Sequence, residues 1–302
     1  MLKATDLDNP FTSEAALTFS IEGNIGVGKT TLLRQLQRDL ETIPFNWIRR
    51  GKSIFYGEVV DEHLINLFYS DPKKYAFTFQ WDILKSRIDQ YDHMLANKYR
   101  KGIDSTFSDR SLFGDLMFTL LQVKHGNITT EEASIYLDKM GMDENEICFN
   151  RLPFKAFDRI VILYAAPHTC KLRIDERGRK FEKEITMAYL DKLDNMLFNL
   201  FVLNKPVREQ LPVNVIISTD GGHAVNYMRP LLLTPPVSPP VYVDIDIKWP
   251  VTTLKLGKKR EFVVYDVPAG TRMLEWCRLS NVSLEAAKLA DNKYPMGYIK
   301  NK

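Results

Sequence analysis

The sequence predicts an α/β fold with a parallel sheet, and three observations carry that expectation. Short apolar, β-branched runs alternate with longer segments of helical period. One of those runs leads straight into a glycine-rich loop at Gly23–Thr30, G-N-I-G-V-G-K-T, which opens a helical segment. A third run, Arg159–Ala165 (R-I-V-I-L-Y-A), is apolar on both faces, as a central parallel strand must be.

The elements follow in order. Ala16–Ile21 is the first strand, and Lys29–Leu40 the first helix, with Leu32, Leu33, Leu36 and Leu40 on one face. Ser53–Tyr56 is the second strand. Lys73–Tyr99, free of Gly and Pro, reads as a long helix. Ile103–Ser108, short and half polar, is the third strand, followed by helices around Gly114–Lys124 and Thr130–Lys139. After Arg159–Ala165 come helices near His168–Glu176 and Thr186–Leu203, then the fifth strand, Val213–Ser218. A Pro-rich stretch, P-P-V-S-P-P, then reads as a stiff linker. Beyond it, Val241–Ile247 and Glu261–Val267 alternate like strands, and Thr271–Leu279 and Leu284–Leu289 have helical character. The organisation expected is a main domain over 1–233, a linker over 234–240 and a small α+β extension over 241–302.

Composition narrows the class. The chain has 302 residues, 45% apolar and 26% charged, enough for a real core. Its 41 basic and 38 acidic residues leave a net charge of +3, too small to mark a nucleic-acid or membrane surface. Cys148, Cys170 and Cys277 are dispersed, which points to reduced thiols and not to a disulfide framework or zinc site. The first residues lack a signal-peptide pattern, and no apolar stretch approaches the roughly 20 residues of a membrane helix. The expected location is cytoplasmic, with a nuclear pool left open.

The chemistry begins at the glycine loop. In G-x-x-x-x-G-K-[ST] the glycines let successive backbone N–H groups converge on phosphate oxygens, and the helix that follows adds its positive end. Lys29 is placed to reach the β- and γ-phosphates of a nucleoside triphosphate, and the Thr30 hydroxyl to meet Mg²⁺. Gly23, Asn24, Ile25, Gly26, Val27, Gly28, Lys29, Thr30 and Thr31 are therefore the candidate ATP-binding residues. Such a loop does not name the acceptor. No N-K-x-D guanine signature occurs, and Ser105–Asp109 fits a Walker-B strand only weakly.

Four blocks narrow the acceptor: E-G-N-I-G-V-G-K-T-T at Glu22–Thr31, Y-S-D-P-K-K-Y-A-F-T-F-Q at Tyr69–Gln80, S-D-R-S at Ser108–Ser111, and R-G-R at Arg177–Arg179. Taken in order over roughly residues 17 to 220, they resemble the deoxynucleoside kinase family, which includes deoxycytidine, deoxyguanosine and multisubstrate insect kinases. The resemblance implies a P-loop kinase whose five-stranded parallel sheet is flanked by helices. It implies transfer of the γ-phosphoryl group of ATP, or another NTP, to a deoxynucleoside 5′-hydroxyl, with Mg²⁺. Glu58, in G-E-V-V, matches the family's E-P-V glutamate and is implied to be the general base. Val59 replaces the proline and His63 stands where an aromatic is frequent, so Asp61 and Glu62 stay open as rivals.

The same resemblance gives Asp109 the metal and Arg110 the orientation of the base or a phosphate oxygen. It gives Gln80 the nucleobase edge, with Phe79 and Phe113 as pocket walls, and Tyr69 with Glu182 the sugar 3′-hydroxyl. Arg87 and Asp115 match a pair that narrows the base site, which favours deoxycytidine or purine deoxynucleosides over thymidine. Arg173, Arg177 and Arg179 fall in a mobile lid at about residues 173–184 and would neutralise the transferring group. A homodimer is implied by analogy. The alternatives are a thymidine or thymidylate kinase, for which D-R in place of E-R speaks, and a non-catalytic structural subunit, for which the unmatched extension speaks.

Overall fold

The structure, a computed structural model, describes residues 16–42, 52–58, 61–100, 102–143, 157–204, 206–207, 213–217, 228 and 249–280. Five parallel strands, β1 (Leu17–Glu22), β2 (Lys52–Tyr56), β3 (Ile103–Asp109), β4 (Arg159–Tyr164) and β5 (Val213–Ile217), form a sheet of order β2-β3-β1-β4-β5. The glycine-loop strand β1 is therefore central. Its register pairs Ile21 with Asp109 and Glu22 with Ile162, so the loops leaving β1, β2 and β3 open at one end of the sheet. That is the end where open α/β sheets bind ligands.

Local chemistry sets the helices. The helix α1 (Lys29–Thr42) starts at the glycine loop, and α2 (Glu62–Ser70) is capped by Asp61, whose carboxylate accepts from the His63 and Leu64 amides at 2.7 and 3.1 Å. Pro72 sits in the first turn of α3 (Pro72–Lys98), where its missing N–H costs nothing. The helix α4 (Leu112–Lys124) follows β3 through Ser111. A Thr129–Glu132 capping box opens α5 (Thr130–Met140). The helix α6 (Pro167–Arg177) ends at Gly178 in a left-handed turn; a 3₁₀ turn, Lys180–Glu182, leads to α7 (Met187–Phe198) and a π turn, Asn199–Leu203.

On one side of the sheet, Phe19, Phe107 and Phe55 stack at 4.9 and 4.8 Å beneath α1. On the other, α3, α4, α5 and α7 share the larger core. Beyond the sheet domain, β6 (Val251–Leu256) and β7 (Arg260–Tyr265) form an antiparallel hairpin, followed by α8 (Ala269–Leu279). Among the described residues no helix is long and apolar enough to cross a membrane.

The five expected strands are all present, within a residue or two of their expected bounds. Two elements went unread: α2, and β6, which pairs with the expected 261–267 strand. The expected strand at Val241–Ile247, the helix at Leu284–Leu289, the Pro-rich linker and Cys148 lie outside the described residues. Cys170 and Cys277 are buried.

Candidate active site

The phosphate loop is held from several sides. Gly23, Gly26 and Gly28 have φ of 142°, 76° and 106°, which side-chain-bearing residues rarely adopt. A Cβ on Gly23 would lie 2.3 Å from the Leu163 carbonyl oxygen, so the loop can press against β4 only without one. The Asn24 amide donates to the Leu190 carbonyl of α7 at 2.8 Å and accepts from the Ile25 N–H at 2.8 Å. The Lys29 ammonium, buried and donating to the Asn24 carbonyl at 3.0 Å, has its pKa lowered to about 8 by burial and then by the Arg110 charge. Over the loop lies a small recess lined by Ile25, Gly26, Gly28, Lys29, Thr30, Thr31, Glu58, Arg110, Arg177 and Glu182.

Next to the loop, the Thr30 hydroxyl donates to Asp109 Oδ2 at 2.8 Å, while Asp109 Oδ1 is buried with no hydrogen-bond partner. One hydroxyl and one orphaned carboxylate oxygen make a hard-oxygen pair suited to Mg²⁺, which takes few protein ligands and completes its shell with phosphates and water. Among the described residues no cluster of three or more His, Cys, Asp or Glu gathers elsewhere for a metal.

Arg110 is the one non-glycine described residue with positive φ, 74°. The end of β1 imposes that conformation. The Arg110 N–H donates to the Ile21 carbonyl at 3.1 Å, its guanidinium to the Gly23 carbonyl at 2.8 Å, and the Ser111 N–H to Glu22 Oε1 at 2.7 Å. Glu22 is fully buried; Oε1 also accepts from the Ser20 hydroxyl, and Oε2 has no partner. Burial pushes its carboxyl up, against the pull of Arg110. A Cβ on Gly114 would lie 2.0 Å from Glu22 Oε2, so the first turn of α4 is glycine where the carboxylate sits.

The main cavity, about 570 Å³, runs from the loop towards α3 and α4. At its far end Arg87 and Asp115 form a buried ion pair, Nε to Oδ2 at 2.8 Å. Arg87 Nη1 donates further to Gln90 Oε1 at 2.7 Å and to the Asp109 carbonyl at 2.8 Å, tying α3 to the end of β3. Burial raises the Asp115 pKa and Arg87 opposes it; burial likewise works against the Arg87 charge, but Asp115 together with Glu22 and Asp109 outweighs it. Gln80 lines the cavity with Oε1 buried and unpartnered, beside Phe79. Tyr69 and Glu182 line its middle, and burial, then Tyr189 and Glu182, raise the Tyr69 pKa.

Glu58, just after β2, lines both the cavity and the recess. Its rivals are placed otherwise: Asp61 is spent as the α2 cap, Glu62 lines only the main cavity, and His63 is exposed. At the end of α6, Arg177 grips Glu182 with two bonds, 3.0 and 2.5 Å, and lines the recess. Arg179 lies 3.7 Å from the same carboxylate and lines the main cavity.

Two expected positions need correction. Phe113 lies in the core against Phe201, ring centroids 6.4 Å apart, and does not line the cavity; Phe118, one and a half turns later on α4 with the Arg110 guanidinium 4.8 Å above its ring, does. Arg173 donates to the Val27 carbonyl at 2.8 Å and lines neither space, so it braces the loop backbone. Tyr189, Glu22 and Gly114 are not among the site residues expected from the sequence, though a glycine three residues after Arg-Ser in a helix start is a readable sign of close approach.

The match with known proteins fits this geometry. A family model described as deoxynucleoside kinase matches residues 19–217. The chain belongs to the deoxynucleoside kinase family. It is by that membership a phosphotransferase. This kinase is 30% identical over 201 residues to a deoxyguanosine kinase of Lactobacillus acidophilus, covering 67% of this chain and 79% of that one. It is also 30% identical to deoxycytidine kinase 2 of Gallus gallus, covering 63% and 75% respectively. Its fold is similar to that of deoxyadenosine kinase from M. mycoides with bound dATP, with TM-score 0.54, 21% identity, and coverage of 72% of this chain and all of that one.

Proposed function

We propose that this kinase transfers the γ-phosphoryl group of ATP, or another NTP, to the 5′-hydroxyl of deoxycytidine or a purine deoxynucleoside. The observation that carries the reading is that Glu58, Arg110 and Glu182 line both the nucleoside-sized cavity and the recess over the phosphate loop. The wall between the two spaces thus holds a carboxylate base candidate and a cation.

In this reading the Glu58 carboxylate takes the 5′-hydroxyl proton as the new O–P bond forms and the bond to the β-phosphate oxygen breaks, releasing the nucleoside diphosphate. Lys29 and the loop amides hold the β- and γ-phosphates; Arg110, Arg177 and Arg179 face the charge on the transferring group. Thr30 and Asp109 would hold Mg²⁺, which when bound neutralises the phosphates. Tyr69 and Glu182 fix the sugar. The Gln80 Oε1 atom awaits an N–H from the base, and the Arg87–Asp115 pair fills the space a thymine methyl would need. A homodimer, by family analogy, belongs to the same reading and is checked by mass in solution.

The test is phosphorylation of a panel of deoxynucleosides and their monophosphates by wild type, Lys29→Ala and Glu58→Gln. Wild type should phosphorylate deoxycytidine or a purine deoxynucleoside, and both variants should lose the activity while keeping the fold. Exclusive use of monophosphates, or preference for thymidine, would sink the reading. Full activity in Glu58→Gln would move the base elsewhere.

A further inference from the structure

The extension after the family-matched segment is bound to one helix of the active site. Its apolar residues Leu254, Leu256, Phe262, Val264, Val267, Trp276 and Cys277 are buried in the larger core. Trp276 packs edge-on to Phe198 at 5.2 Å and against Tyr164 at 5.6 Å. Arg260 also pairs with Asp138 of α5 and Asp266 with Lys124 of α4, but most of the polar contacts go to α7 and its π turn. The Asn199 side chain makes a two-way bond with the Tyr265 backbone, accepting at 2.7 Å and donating at 2.9 Å. Asn195 donates to the Tyr265 carbonyl at 3.0 Å and accepts from the Val267 N–H at 3.1 Å. Two asparagines one turn apart therefore receive the end of β7 much as a neighbouring strand would.

Arg272, 2% exposed, completes the dock. Its Nε donates to Asp194 Oδ2 at 2.6 Å, and Nη2 pairs with Asp191 Oδ1. Asp194 is buried, and Arg272 is the cation that opposes the rise burial causes in its pKa. Residues 19–217 thus carry a buried carboxylate on α7 whose counter-charge comes from the extension. A buried charge stripped of its partner is strongly destabilising, so α7 depends on that guanidinium for its place.

The first turn of α7 also borders the active site. Leu190, one residue before Asp191, gives its carbonyl to Asn24 of the phosphate loop at 2.8 Å. Tyr189 lines the main cavity, and the first turn of α7 is the downstream anchor of the lid that carries Arg177, Arg179 and Glu182. Over three consecutive residues, 189 to 191, α7 touches cavity, phosphate loop and extension.

We propose that residues 249–280 brace α7, and that Arg272 is a positioning residue for the phosphate loop and the lid. Its guanidinium holds the helix; the helix carbonyl holds Asn24; Asn24 holds the loop over which the triphosphate sits. The inference rests on the kinase reading only in taking an NTP as the loop's ligand.

The experiment uses the full chain with Asp191→Asn and Arg272→Lys, two mild changes beside the harsher Arg272→Ala. Affinity for a non-hydrolysable ATP analogue is measured by calorimetry, and amide hydrogen exchange by mass spectrometry. Both mild variants should bind the analogue about three- to tenfold more weakly. Exchange should quicken at 24–31 and 187–192, not only within 249–280. Where Arg272→Ala does not fold, Asp191→Asn decides, because Asp191 is half exposed and gives up only one arm of the clamp. Unchanged analogue affinity with faster exchange confined to 249–280 overturns the brace, even where melting temperature falls. Wild type that binds the analogue but transfers no phosphate sinks the kinase reading and leaves this test standing.

Discussion

Gly114→Ala sets two effects of opposite sign against each other. In a helix, alanine is favoured over glycine by about 1 kcal/mol, so an open site would gain. Here the added Cβ would lie 2.0 Å from Glu22 Oε2 and 2.9 Å from its Cδ, and the carboxylate must move by more than an ångström to reach ordinary contact. It has little freedom to do so: Oε1 is fixed by the Ser20 hydroxyl and the Ser111 N–H, both at 2.7 Å, in a fully buried site. Overpacking costs about 1–3 kcal/mol, and weakening a hydrogen bond to a charged group adds about 1.5–3. The clash wins, with a net loss of about 2 kcal/mol and a melting temperature lower by about 4–8 °C. Because the Ser111 N–H helps set Arg110, kcat should fall by about tenfold as well. Thermal unfolding and steady-state kinetics read both effects. In a Glu22→Ala background the obstacle is gone, and Gly114→Ala should become neutral or stabilising by up to about 1 kcal/mol. The same destabilisation in both backgrounds, or a gain in wild type, would refute the reasoning.

Asp115→Ala leaves the Arg87 guanidinium buried and unpaired on that side; it should cost about 3–5 kcal/mol in chemical denaturation. Replacing both residues, Arg87→Met with Asp115→Leu, should recover most of that stability and raise the relative use of thymidine in the nucleoside panel. Thr30→Ala removes the hydroxyl beside Asp109, and the Mg²⁺ concentration for half-maximal activity should rise about tenfold in a metal titration.

How far the fold was legible depended on whether local pattern set the element. The strands Leu17–Glu22 and Arg159–Tyr164 were legible because they are buried on both faces, and the glycine loop fixed the first of them. The helix α2 was not, because the charged E-V-V-D-E-H stretch masks a helix whose clearest signal is the Asp61 cap. The strand β6, V-T-T-L-K-L, buries only Leu254 and Leu256, too short an apolar signal to mark a strand by itself. At the site, the family motifs indicated which residues gather around the cavity, yet helical phase decided between Phe113 and Phe118. Asp115 and Phe118, three residues apart, share a face of α4; Phe113 lies off it. Arg272 and Asp194 are 78 residues apart in sequence, and no local pattern joins two such charges before the chain is folded.

The left-handed backbone at Arg110 has a consequence for what substitution there can do. Glycine would adopt that conformation without the ~1–2 kcal/mol a side chain adds, but would bring no guanidinium to the recess over the phosphate loop. Lysine would keep the charge and the strain, yet would reach Gly23 with a point ammonium in place of a planar fork. At this position conformational ease and chemical competence belong to different amino acids. The kinase accepts a small, permanent tension in its backbone as the condition for having a charge in that corner.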